Sequence, residues 1–270
     1  MTRFTFPMRC AVAAAFLLVA AAAQAGRSCE QKKPDLATIE RGFMLAERTM
    51  RALDASGHKV VLLARAGQDL SRYGLTYSHL GFAYRQPDGE GGHVWRVLHK
   101  LNHCGTAEAA IYRQGLAEFF LDDLWRYQAA WSAPTAEVQE HLLAVLLDLR
   151  RALAMHHKPY SIVSYAWGRK YQQSNQWVAE TLASAMIADG ASRGHAQAWL
   201  SLRDYRPAVL TIGPLTRLGA RVGAANVAFD DHPDAKRFSD RIETVTVESV
   251  FSWLEKSGIG TRPAVLGLDR

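Results

Sequence analysis

Two short apolar stretches joined by turn-forming residues constrain the fold of this chain more than any other feature. Residues 77–84 and 93–101 are rich in β-branched, aliphatic and aromatic side chains, and the segment between them ends in Pro87–Gly92, PDGEGG. Proline, aspartate and glycine at this spacing are typical of a hairpin loop. The chain is therefore predicted to form an antiparallel hairpin here, as part of a sheet.

Helical and extended patterns follow each other unevenly along the rest of the chain. Apolar residues at helical spacing predict helices over residues 35–56, 136–155, 174–187, 195–202 and 248–256. Apolar, β-branched runs predict strands over residues 60–66, 160–163, 208–212, 226–229 and 243–247, while 111–124 fits either a helix or a strand. This uneven order predicts an α+β fold, with residues 26–270 forming a single domain.

The first 25 residues have the pattern of a secretory signal. Arg3 and Arg9 precede the apolar run Ala11–Ala23, and Ala23-Gln24-Ala25 has the form of a cleavage site. The run is too short for a spanning helix, which needs about 20 apolar residues. We expect cleavage after Ala25, a periplasmic or secreted location, and no integral membrane segment in the mature chain.

Charge and cysteine content narrow the class of partner. The formal net charge is +6, and losing the two leader arginines leaves +4, with no block rich in lysine or arginine. Nucleic acid is therefore not an expected partner, whereas a cell-envelope peptide, glycan or lipid is. No cofactor and no metal are expected.

Cys29 and Cys104 remain after the leader and are predicted to form a disulfide. The alternative makes Cys104 a nucleophile beside His103.

The segment Tyr171–Ile187 is a polar turn that leads into an amphipathic helix. Ser174 is predicted at the N-cap, where it faces the positive end of the helix dipole and free backbone N–H groups. Such a position suits a nucleophile, because the N–H groups can stabilise an oxyanion. A plain capping role explains the serine equally well.

Two histidines on the predicted hairpin are candidate acid–base groups. His79 is followed by Leu80 and Gly81 on one strand, and His99 lies on the other. If the strands pair, His79 is a candidate general base and His99 the residue that orients it. Both are also consistent with structural histidines that bond to the backbone. A metal site at His93, His99, His103 and Cys104 is a weaker alternative.

These residues resemble a known superfamily. Tyr77-Ser78-His79-Leu80-Gly81 and Ser174-Asn175-Gln176-Trp177-Val178 are similar to the motifs of the circularly permuted branch of the papain-like NlpC/P60 superfamily. Most of the chain also resembles an uncharacterised family of exported bacterial proteins, domain of unknown function 2145.

The superfamily resemblance implies a papain-like antiparallel half-barrel with packed helices. It implies that His79 is the base, that Ser174 replaces the family cysteine, and that His99 is the third polar residue. Tyr77, Asn175, Gln176 and Trp177 would then border a substrate cleft, although Trp177 also fits a core position.

Three functions remain open from the sequence. The first is a hydrolase or acyltransferase that acts on amide or ester bonds in the cell envelope. The second is a catalytically inactive module that binds an envelope ligand in the same cleft. The third is a structural envelope protein. Serine ionises far less readily than cysteine and depends on its base, so the serine weakens the first.

Overall fold

A computed structural model describes residues 33–187 and 191–268. The predicted leader and Cys29 lie outside this part of the chain. The helices are α1 (Leu36–Ser56), α2 (Leu116–Phe120), α3 (Ala136–Leu147), α4 (Leu149–Leu153), α5 (Ser174–Ala185), α6 (Arg193–Leu202), α7 (Pro214–Gly223), α8 (Asp234–Arg237) and α9 (Val247–Lys256). The strands are β1 (Val60–Ala66), β2 (His79–Pro87), β3 (His93–Asn102), β4 (Ala109–Gly115), β5 (Arg126–Ser132), β6 (Ala208–Thr211), β7 (Arg241–Thr244) and β8 (Ala264–Gly267).

The strands form two antiparallel sheets, which confirms the predicted α+β class. The large sheet has the order β4-β3-β2-β1-β5-β8, and β6 pairs with β7 in the small one. The predicted hairpin is present as β2 and β3, with Phe82 opposite Leu98 and Pro87 opposite His93. The hairpin therefore occupies the interior of the large sheet.

The two faces of the large sheet pack against different helices. Because strand side chains alternate, Leu80, Phe82 and Leu98 project from one face, where they join a core with α3, α5 and α9. We call this the α5 face. Ala83 and Val97 project from the other face, where they join a core with α1 and α2. We call this the α1 face. Successive residues along β2 and β3 therefore face opposite helix layers.

Helix α1 follows its predicted boundaries. Asp35 caps its start, where Oδ1 accepts a bond from the Thr38 N–H at 2.7 Å. Gly57 ends it at φ 72°, a left-handed conformation that favours glycine.

Several predicted elements need correction. The helix predicted over 136–155 breaks at Asp148, whose extended backbone and side chain cap α4. The ambiguous segment 111–124 contains both a strand and a helix, β4 and α2. Residues 160–163 and 226–229 do not form strands, and β5, α7, α8 and β8 were not predicted. Among the described residues, no helix combines the length and the apolar character that spanning a bilayer requires.

The predicted disulfide between Cys29 and Cys104 can be tested directly. Because Cys29 lies outside the described residues, its pairing with Cys104 stays a prediction. Non-reducing peptide mass analysis of the mature chain should recover one peptide pair joined through these cysteines, and reduction should separate it. Two freely alkylated thiols would contradict the pairing and restore Cys104 as a candidate nucleophile.

Candidate functional site

The two candidate histidines contact each other on the α1 face. Nε2 of His79, at the start of β2, lies 2.8 Å from Nδ1 of His99 on β3. The ring planes are inclined at 74°. Nε2 of His99 lies 2.7 Å from Oε1 of Gln114 on β4. The predicted meeting of His79 and His99 is therefore present, and it extends to a third residue that the sequence did not identify. We call these three residues the histidine relay.

Gly81 makes room for this contact. A Cβ atom at position 81 would lie 2.9 Å from Cβ of His99 and 3.1 Å from Cγ1 of Val97. Real Cβ atoms do not approach so closely, so a side chain at position 81 would displace His99. The glycine two residues after His79 is thus explained by the packing of the neighbouring strand.

The relay fixes the positions of two protons. The Oε1 atom of Gln114 can only accept, so Nε2 of His99 carries the proton and its Nδ1 accepts from the Nε2–H group of His79. Burial, followed by the charge of Arg65, lowers the pKa of His99 to about 4. His99 is therefore neutral at neutral pH, and the lone pair of neutral His79 is on Nδ1.

The relay lies against α2 and a partly buried ion pair. The ring centroid of Phe119 lies 6.0 Å from that of His79 and 5.3 Å from that of His99. Arg65 stacks over Phe119, donates to its carbonyl oxygen and pairs with Asp122. His79 is 8 % exposed and His99 is fully buried. The relay is therefore most buried at His99, with His79 slightly exposed and Gln114 half-buried.

The predicted nucleophile Ser174 lies elsewhere. It is the first residue of α5, and the N-cap is Gln173, whose side chain accepts from the Asn175 N–H. Ser174 hydrogen-bonds with Tyr160, and burial raises the pKa of that tyrosine to about 12. Helix α5 packs on the α5 face, where Trp177 meets Phe82 at a ring distance of 5.7 Å. The sheet lies between Ser174 and His79, so the structure does not assemble the predicted serine–histidine pair.

The predicted cleft residues are buried structural contacts. Trp177 is fully buried in the core. Gln176 accepts from the Ser164 hydroxyl and donates to the carbonyl oxygens of Tyr165 and Ala166. Tyr77 accepts from the Gln128 amide. With Asn175 only 5 % exposed, these side chains line no open cleft. The four residues of the alternative metal site are also dispersed, since His93 contacts Asp54 and His99 contacts His79.

The α5 face carries a buried charged cluster that sequence reasoning missed. Glu180 accepts from Arg193 at 2.7 and 3.0 Å and from the Gln197 amide at 2.7 Å. Gln172 links Glu180 to Lys100, whose Nζ donates to Gln172 at 2.7 Å. Burial lowers the pKa of Lys100 to about 7. We call these five residues the Glu180 cluster. These hydrogen bonds explain the cluster as a structural link between α5, α6 and β3.

A cavity lies on the α1 face at the same end of the sheet as His79. Its volume is about 450 Å³, and it is lined by the start of α1 and by residues 123–127. In the register of the sheet, Arg65 on β1 lies opposite His79 on β2, and Ala66 on β1 lies opposite Arg126 on β5. The cavity and the relay therefore lie at the same end of β1. Trp125 is 57 % exposed there, and Arg41 stacks on the ring of Tyr127 at 4.0 Å. Asp35 and Asp123 line the cavity as well, so its wall combines an exposed aromatic face with charges of both signs.

Burial of His99 predicts acid sensitivity. In the unfolded chain this imidazole takes up a proton near pH 6.5, whereas in the folded chain it does so only near pH 4. Because the unfolded chain binds this proton more readily, the free energy of unfolding is highest above pH 6.5 and falls as the pH is lowered to 4. The total loss from His99 is about 3 kcal/mol.

The measurement is the free energy of unfolding in urea between pH 7 and pH 4. Its fall should be smaller in His99→Gln than in the natural protein. His156, whose pKa burial also lowers to about 4, is present in both and cancels in the difference. Equal pH dependence in the two proteins would contradict the prediction.

Comparison with known proteins gives one family. The family model described as "Uncharacterized protein conserved in bacteria", DUF2145, matches residues 52–254. No curated protein and no solved structure matches the chain. The matched segment includes the histidine relay, Ser174 and the Glu180 cluster.

Proposed function

Since this chain belongs to DUF2145, a family of uncharacterized proteins conserved in bacteria, we propose its function from its own residues. We propose that it is an exported hydrolase that cleaves amide or ester bonds in the cell envelope. His79 is the general base, and His99 and Gln114 orient it. The observation that carries the proposal is the pair of hydrogen bonds, 2.8 and 2.7 Å long, that fixes the His79 ring and its tautomer.

Water is the nucleophile in this proposal. Nδ1 of His79 takes a proton from a water molecule as its oxygen attacks the carbonyl carbon. The tetrahedral intermediate then expels the amine or alcohol, which receives the proton from His79, and the second product is a carboxylic acid. Ser174 takes no part, because it lies across the sheet and bonds to Tyr160. His99 stays neutral throughout, since burial opposes its protonation.

The cavity next to the start of α1 supplies the substrate class. Trp125 is exposed at its wall, which also carries two arginines and two aspartates, and an aromatic face among polar groups of both signs favours an envelope glycan or peptide. The papain-like relationship also belongs to the proposal. A strand histidine whose ring is held by a polar residue on the neighbouring strand supports it.

A second candidate is a non-catalytic binding module. The separation of Ser174 from His79 favours it, because the serine then has no base. In this case the same cavity holds the envelope ligand, and the relay serves only to pack β2, β3 and β4 together.

A substrate screen distinguishes the two candidates. The purified mature chain is incubated with peptidoglycan fragments and with ester and amide model substrates, and released acid is measured. Turnover that survives Ser174→Ala supports the water-based hydrolase. Binding of a fragment without turnover supports the module. Turnover that Ser174→Ala abolishes would contradict the proposed role of water.

A further inference from the structure

Helix α7 turns its apolar side away from the protein. Leu215, Leu218 and Val222 follow one another at spacings of three and four residues, so they form one stripe along the helix. They are 85, 62 and 83 % exposed. The buried residue of α7 is Ala220, which lies on the opposite side and packs against Ile212 and Ile242. The stripe therefore contributes nothing to the core among the described residues.

The anchoring of α7 shows that this orientation is specific. Arg217 donates to the carbonyl oxygen of Ile212 and to Asp240, both at 2.6 Å. Its side chain is only 12 % exposed. Rotating the helix to bury the stripe would break both bonds and expose Ala220. The fold thus holds three large aliphatic side chains in water, which marks an interaction surface.

Charge next to the stripe points to the partner. Helix α7 carries no acidic residue, and Asp240 neutralises Arg217. Arg221, beside Val222 on the helix, is exposed. Arg72 is exposed as well and shares a cavity of about 420 Å³ with Thr216 on α7. Among the described residues neither Arg72 nor Arg221 forms an ion pair.

We propose that α7 docks the folded chain onto an anionic lipid surface. The aliphatic stripe enters the boundary between headgroups and acyl chains, while Arg221 and Arg72 contact phosphate groups. Protein interfaces favour aromatic residues and methionine, and the stripe contains neither. The proposal is independent of the hydrolase proposal, because α7 contributes no residue to the histidine relay or to the cavity at α1.

The test is co-sedimentation of the full mature chain with lipid vesicles. The chain should bind vesicles of phosphatidylcholine mixed with phosphatidylglycerol, bind pure phosphatidylcholine less, and lose binding at high salt. Leu218→Ser should reduce the bound fraction by about fivefold or more, and Arg221→Glu should reduce it on the anionic vesicles. Leu149→Ser is the matched control, because Leu149 is 55 % exposed on α4. It should bind like the natural protein.

Three outcomes would overturn the proposal. The natural chain would fail to bind the anionic vesicles, or Leu149→Ser would reduce binding as much as Leu218→Ser. In the third, the chain would form a dimer in solution that Leu218→Ser converts to a monomer, which would assign the stripe to a second copy. Since all substituted side chains are exposed, circular dichroism should show unchanged folding.

Discussion

Glu180→Ala should destabilise the protein by about 3–5 kcal/mol, because it leaves a largely buried arginine without its counter-ion. Glu180 is 1 % exposed and accepts bonds from Arg193, Gln172 and Gln197. Arg193 keeps bonds to the carbonyl oxygens of Gly168 and Tyr171, but these carry no full charge to balance its own. The loss should appear as a lower midpoint of urea unfolding at neutral pH.

The matched control is an exposed ion pair on α1. Glu47 and Arg51 lie 2.6 Å apart, with side chains 54 and 74 % exposed. Glu47→Ala should change the free energy of unfolding by only about 0.5 kcal/mol or less. Glu180→Gln, which retains an acceptor oxygen but not the charge, should lie between the two alanine variants. Equal effects of Glu180→Ala and Glu47→Ala would show that water reaches the Glu180 cluster.

His79→Ala should lower kcat/KM of the proposed hydrolysis by about 10²–10⁴, the contribution typical of a general base. His99→Phe should have a smaller effect on kcat/KM, because it removes the acceptor that orients His79 but leaves the base in place. The measurement is the initial rate on whichever substrate the screen identifies. Far-ultraviolet circular dichroism should confirm that both variants fold.

Two further variants test whether the loss of activity comes from the proposed roles of these residues. Ser174→Ala should change kcat/KM by no more than about twofold, because Ser174 lies on the opposite side of the sheet from the base. Gln114→Leu should behave like His99→Phe if Gln114 fixes the tautomer of His99. Loss of activity in Ser174→Ala with none in His79→Ala would reject the assignment of roles.

Local sequence patterns determined the elements that depend on neighbouring residues. The helical spacing of apolar residues over 35–56 gave α1, and the turn Pro87–Gly92 gave the β2–β3 hairpin. Local patterns did not predict the boundaries correctly where two elements follow each other within a few residues. The carboxylate of Asp148 caps a new helix inside one apolar repeat, and Gln114 lies in a segment that fits either period.

The sequence by itself determined that His79 and His99 would share a strand pair, because a hairpin fixes which residues face each other. Only the tertiary structure decided that Ser174 would lie behind the sheet from them. Strand alternation assigns each side chain a face, but which helix covers that face depends on packing between segments far apart in the chain. The same limit concealed the partners of Lys100 and Glu180, whose burial results from long-range contacts that no local pattern records.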